Sequence, residues 1–191
     1  QRSNELFINH TTLPWSEKPV GNLQQSARNA RHRLLREWAT QKKLSVVLLG
    51  HTLDDNAETV LIRLSRGSGI DGLTGISRSR TIKNLVIFRP LLQISREELR
   101  KFLSTRGISW IDEPSNFDER FQRVKVRNLL PKLSELGLTA TKLVVFAEHM
   151  QRVKMALNSE VLKFAKMHVQ IEPWGVLEIE HEPFKNLSSE Y

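Results

Sequence analysis

The run "SVVLLG", Ser45 to Gly50, constrains the fold of this chain more than any other stretch. An uncharged run with β-branched residues, closed by glycine, reads as a short strand buried on both faces, the habit of a parallel sheet. Segments of helical period flank it. From Leu23 to about Lys42, Leu23, Ala27, Ala30, Leu34 and Trp38 line up as one apolar stripe, and from about Asp54 to Arg66, Ala57, Val60, Leu61 and Leu64 form another. Helix, buried strand and helix in succession predict an α/β fold.

The rest of the chain supplies further punctuation. Leu6 to Asn9 and Thr12 to Trp15 read as short extended segments, ahead of the breaker-rich stretch Ser16 to Asn22 with Pro19 and Gly21. Thr52 or Asp54 is the N-cap candidate for the second helix, and Gly67 its stop, followed by the glycine-rich loop "GSGIDGLTGI". "LVIFRPL" (Leu85 to Leu91) reads as a strand that pairs with Ile76 to Ile82 through a turn at Lys83-Asn84. Ser95 with Glu98 is a capping box for a helix to about Arg106, stopped by Gly107. A helix over about Val124 to Leu136 contains Pro131, which must kink or interrupt it. Thr139 to about Met167 is a long amphipathic segment, and Val169 to Ile179 a hairpin around Pro173 to Gly175. The reading places a domain boundary near Gly137, giving domains 1–136 and 137–191.

Composition bounds the partners. The 29 lysines and arginines against 21 acids leave a formal charge of +8, which favours polyanions, nucleic acid first, with a merely solvated basic surface as the alternative. The absence of cysteine excludes disulfides, thiolate zinc sites, cysteine-ligated iron–sulfur clusters and a cysteine nucleophile from this chain. No apolar run approaches the roughly 18 residues of a membrane span, and the polar start at Gln1 lacks a signal-peptide core. A soluble, cytoplasmic protein is the expectation.

In open parallel sheets, ligands bind beyond the carboxyl ends of the strands, where His51, Asp54 and Asp55 fall here. Paired carboxylates at such an edge suit Mg2+ with the phosphates of a nucleoside triphosphate. The alternative is that Thr52, Asp54 and Asp55 only cap the helix, at about 0.5–2 kcal/mol. Glu58 lies one turn on and suits a cationic substrate group, or is a solvated acid; Leu61 and Ile62 offer it no helical ion pair, and Arg63 is one position too far. Gly67, Gly69, Gly72 and Gly75 suit a backbone approach to phosphate or a tight loop, without a Walker A pattern. On the first helix, Arg31 lies about 60° and Arg28 about 120° from the centre of the apolar stripe, so Arg31 can present its head to a neighbouring cleft. Arg120, Arg123, Lys125 and Arg127, beside Phe117 and Phe121, suit RNA phosphates, or form a charged helix face.

The stretches "SARNARHRLL", "GHTLDDNAETVLIRLSRGSGIDGL", "RPLL" and "WIDEPSNFDERFQRVKVR", in this order and spacing, resemble the bacterial tRNA(Ile)-lysidine synthetases of the N-type ATP pyrophosphatase superfamily. "LPWSEKP" is similar to the segment ahead of their arginine helix, so the resemblance covers residues from about 10 to 135. It implies a Rossmann-like parallel sheet of the adenine nucleotide alpha hydrolase type, followed by the start of a smaller, mainly helical, tRNA-binding domain. It also implies a two-step ligation: ATP adenylates the C2 oxygen of the wobble cytidine of tRNA(Ile), and the amine of free lysine then displaces AMP. The implied cofactors are ATP and Mg2+. The implied partners are tRNA(Ile) and free lysine, with no membrane, and a homodimer is allowed.

Carried over residue by residue, Arg28, Arg31 and Asp55 look like nucleotide contacts, and His51, Asp55 and Arg123 like catalytic residues. Asp54 and Asp55 look like metal ligands, Glu58 and the weaker candidate Asp112 like lysine contacts, and Arg123, Lys125 and Arg127 like tRNA contacts, with Asn116 a further weak candidate. Val124 stands where the family often has asparagine. The family's phosphate-binding "SGGxDS" loop is absent and would lie upstream of Gln1, so this piece alone is expected to bind ATP poorly and not to turn over. Competing readings are a different tRNA-modifying N-type ATP pyrophosphatase, such as a cytidine thiolase, disfavoured by the lack of cysteine, and a non-catalytic RNA-binding module.

Overall fold

The computed structural model describes residues 2–17, 21, 23–113 and 118–187, with the backbone alone at residues 2, 4 and 23–25. Pro19, Asn116, Phe117 and the Leu23 side chain lie outside the described residues. The chain divides into two compact units: residues up to Leu49 with Arg78–Pro90, and Gly50–Ser77 with the chain from Leu91 onward.

The first unit holds helices α1 (Arg2–Glu5) and α2 (Leu23–Gln41) and strands β1 (Val46–Leu48), β2 (Ser79–Ile82) and β3 (Leu85–Phe88). The sheet order is β1-β3-β2, with β1 parallel to β3 (Val46 opposite Val86) and β2 antiparallel to it (Ile82 opposite Leu85). Lys83 turns the hairpin at a φ of 54°. The sheet is therefore mixed rather than purely parallel. The extended segments expected at Leu6 to Asn9 and Thr12 to Trp15 join no strand; a turn follows α1 there and the chain runs on irregularly.

Burial of β1 also differs from expectation. Val47 faces α2 and, with Leu35, Leu49 and Ile87, lines a cavity of about 30 Å³, while Val46 and Leu48 are 46% and 63% exposed. Pleating sends alternate side chains to opposite faces, and α2 covers only one of them. Among the described side chains of α2, Ala30 and Ala39 are buried and Trp38 is half-buried.

The second unit is mainly helical: α3 (Leu53–Leu64), α4 (Ile70–Leu73), α5 (Arg96–Ser104), α6 (Gln122–Glu135), α7 (Ala140–His168) and α8 (His181–Lys185), with a hairpin of β4 (Val169–Ile171) and β5 (Leu177–Ile179). Ala57 and Val60 of α3 are fully buried; Leu64, expected inward, is half-exposed because the helix ends there and Gly67 carries the chain away at a φ of 67°. Pro131 lies inside α6 without interrupting it; proline removes one backbone donor, and the remaining bonds and the burial of Leu130 hold the helix. The core joins Ala57, Leu130, Leu143 and Val144, with Leu53, Leu61 and Ala140 against them. Residues on either side of Gly137 thus share one apolar cluster.

The glycine-rich loop is tied down by α3. The Arg63 Nη1 donates to the carbonyls of Gly72 and Gly75, both at 2.8 Å, and buried Asn56 accepts the Ile76 N–H at 2.6 Å. Gly75 has a φ of 67°, and a Cβ there would stand 2.4 Å from the Asn56 Oδ1. Gly75→Ala is expected to destabilise by about 1–3 kcal/mol, lowering the melting temperature by about 2–4 °C per kcal/mol. Gly50→Ala, whose Cβ meets nothing within 4 Å, should leave the thermal transition unmoved.

Candidate active site

The site is built on the first two turns of α3. Thr52 is the N-cap: its hydroxyl accepts from the Asp55 N–H at 3.3 Å, while the Asp55 Oδ2 accepts from the Thr52 N–H and hydroxyl, both at 2.9 Å. This capping box uses one carboxylate oxygen of Asp55. The other, Oδ1, lies 2.6 Å from the Nη2 of Arg96, the first residue of α5.

Arg96 binds the three acids of α3 that the sequence singles out, Asp54, Asp55 and Glu58. Its N–H donates to the Asp54 Oδ2 at 2.7 Å, and its Nη1 to the Glu58 Oε1 at 2.8 Å. Glu58 is completely buried. The Arg127 Nε donates to the same Oε1 at 2.8 Å, and the Arg123 Nε stands 3.2 Å from Oε2 in an ion pair without hydrogen-bond geometry. Arg123 also donates from Nη2 to the Thr59 hydroxyl at 3.0 Å. Three acids from α3 and three arginines from α5 and α6 thus form one charge-balanced cluster.

The cluster sets its own ionisation. Burial works to raise the Asp55 carboxyl, but the Thr52 N–H, the Arg96 guanidinium and the Thr52 hydroxyl outweigh it and hold Asp55 below the usual aspartate range. Burial works against the charge of Arg96, and Glu58 and Asp55 more than restore it, so this arginine is raised.

This arrangement sorts the sequence-derived candidates. Asp54, Asp55, Glu58, Arg123 and Arg127 come together, and half-buried His51 directly precedes the cap. Glu58 is not an open carboxylate awaiting an amine, because its oxygens are enclosed by three guanidinium groups from distant sequence. Arg123 and Arg127 turn inward to it, whereas Lys125, two residues between them and so on the opposite side of the helix, is exposed. Asp112 stands apart, paired at 2.7 Å with the exposed Arg100 of α5. Arg28 and Arg31 lie exposed on α2 of the first unit. Among the described residues, no three acidic, histidine or cysteine side chains converge as a metal cage. Asp55 does not fit a cation beside Arg96; Asp54 keeps one oxygen for such a role.

Sequence reasoning passed over Arg96. Its signal was an arginine at the first helical position, where the helix dipole disfavours cations and acids are the rule. Only a partner outside the helix accounts for it.

The PP-loop domain family matches residues 2–133, and the chain belongs to that family. Among similar proteins, the tRNA(Ile)-lysidine synthase of Ruegeria pomeroyi is 40% identical over 97% of this chain and 44% of its own length. That of Wolbachia pipientis is 35% identical over 98% of this chain and 43% of its own. The chain therefore spans less than half the length of these relatives. The U34-tRNA thiolase of Methanococcus maripaludis, solved with its 4Fe-4S cluster, matches 69% of this chain and 44% of that one at a TM-score of 0.56 and 18% identity, a likeness of fold. No helix of the described residues is long and apolar enough to cross a membrane.

Two outcomes test the cluster. Removing one partner of a buried ion network leaves uncompensated charge, so Glu58→Ala is expected to cost about 3–5 kcal/mol in denaturant unfolding, against less than about 1 kcal/mol for exposed Asp112→Ala. Asp55, with its lowered folded value, contributes stability that is fully present above the unfolded value of about 3.9 and is lost as pH falls through the lower folded one. Asp55→Asn should flatten that acid limb in urea titrations run from pH 5 downward.

Proposed function

We propose that residues 1–136 of this chain belong to the catalytic domain of a tRNA(Ile)-lysidine synthase. The observation that carries the reading is the cluster of Asp54, Asp55, Arg96, Arg123 and Arg127 around the buried Glu58, in a chain 40% and 35% identical to proteins of that name. Isolated buried charges are costly, and a network of this density at a helix N-terminus is a mark of a functional site.

In this reading the wobble cytidine of tRNA(Ile) attacks the α-phosphorus of ATP through its C2 oxygen, and pyrophosphate leaves. The amine of free lysine then adds at C2, AMP departs with the oxygen, and the amine loses a proton. In this reading His51 accepts the proton of the amine, and Asp55, held ionised by Thr52 and Arg96, fixes the helix start and the guanidinium beside it. Arg28 and Arg31 bind the nucleotide. Asp54 would hold Mg2+, which needs only one or two protein carboxylates and would neutralise charge on the phosphates of ATP. Glu58 acts on lysine through Arg96, Arg123 and Arg127, whose orientation it sets. Residues 137–191 begin the tRNA-binding region, and the protein is cytoplasmic.

The test is lysine incorporation into a tRNA(Ile) transcript by the full-length protein. Asp55→Asn, which keeps the size of the side chain, should lower it by about 100-fold or more, the scale of a misplaced catalytic group, with folding retained by circular dichroism. Undiminished incorporation would remove Asp55 from the mechanism; no incorporation by the unaltered protein would remove the reading itself.

A further inference from the structure

The two units divide the charge of the chain unequally. The first unit holds twelve lysines and arginines and only three acids, a net +9, while the second holds 17 basic residues against 18 acids, a net −1. The entire positive excess of the chain therefore resides in the smaller unit.

Within that unit the acids leave the excess in place. Two of the three, Glu17 and Glu37, both bind the same arginine, Arg33, at 2.6 and 3.4 Å. Helical spacing puts Arg28, Arg31 and His32 on neighbouring turns of α2, and Arg36 lines the small cavity with Ile82 and Leu85 of the β2–β3 hairpin. Arg80 on β2 and Arg89 just past β3 converge on the same histidine: burial first, then the charges of Arg28, Arg89, Arg31 and Arg80, lower the His32 imidazolium. Burial, with Arg28 and Arg80, likewise lowers Arg89. Beyond Arg28 and Arg31, which the nucleotide takes, Arg36, Arg78, Arg80 and Lys83 are exposed. Like charges gathered on one face repel one another, and a polyanion relieves that repulsion while releasing its counterions.

We propose that the α2 and β2–β3 face of the first unit is the main electrostatic contact for the RNA backbone. This deepens the reading given above, and moves the bulk of the phosphate contacts away from Lys125 and from residues 137–191. The occupant is tRNA rather than a membrane, because the described residues of α2, β2 and β3 are arginine-rich and include none of the large exposed apolar side chains of this unit, which sit at Leu6 to Ile8, Leu44, Val46 and Leu48.

The test compares two triple variants of the full-length protein: Arg36→Gln, Arg80→Gln, Lys83→Gln in the first unit, and Lys142→Gln, Lys163→Gln, Lys166→Gln in the second. The neutral replacements relieve repulsion in the first unit, so its thermal stability should hold or rise. Each phosphate contact contributes about 0.7–0.9 to the slope of log K against log salt. The first triple is expected to flatten that slope by about 2 and weaken tRNA binding at least tenfold near 50 mM salt, the second to change affinity by less than about threefold. Equal losses in both triples, or none in the first, overturn the proposal. Binding of the unaltered protein to phosphatidylserine vesicles but not to tRNA at the same salt assigns the face to a membrane and overturns it too. Lysine incorporation, measured alongside, separates the two claims: a protein that binds tRNA through this face without joining lysine sinks only the enzymatic reading.

Discussion

The second unit depends on one interaction, the burial of the Glu58 carboxylate. A carboxylate with no exposed surface would carry a desolvation cost of several kcal/mol unless cations met it at close range. Three do, and they come from α5 and α6, 38 to 69 residues further along the chain. Apolar contact alone would leave α6 free to slide on α3, since hydrophobic burial has no direction. The ion pairs supply the direction: α6 must present Arg123 and Arg127 on one side, four residues apart, and α5 must start where Arg96 can reach. Loss of Glu58 therefore disturbs packing and chemistry together.

Much of this was legible beforehand, where it rested on short-range rules. The N-cap of α3 at Thr52 or Asp54, the capping box of α5, the stops at Gly67 and Gly107, the β2–β3 turn and the β4–β5 hairpin follow from neighbours within a few residues. What escaped was long-range. An unpartnered Glu58 seemed to await a substrate because its helical neighbours are apolar, and nothing local reveals that three arginines arrive from elsewhere. Arg96 was hidden for the opposite reason: its position inside a capping-box helix made it look accounted for. The one-sided exposure of β1 was equally invisible, because a six-residue apolar run does not state how many faces are covered.

The choice first posed by Asp54 and Asp55, between helix capping and chemistry, is not a real alternative in this geometry. Asp55 caps with Oδ2 and binds Arg96 with Oδ1, so the same carboxylate anchors the helix start and sits at the centre of the charge cluster. Capping fixes the orientation of the group that the cluster needs, and the cluster keeps ionised the group that capping needs, since a protonated acid accepts less strongly from Thr52. That reciprocity also divides labour between the two adjacent aspartates. With Asp55 held by a guanidinium at 2.6 Å, a second cation at the same oxygen would meet direct repulsion, whereas Asp54, among the described residues, meets the neutral backbone N–H of Arg96 through Oδ2 alone. Neighbouring residues of the same type are thereby driven to different roles by what reaches them from α5, and the role of each acid is set less by its own position on the helix than by the arginine opposite.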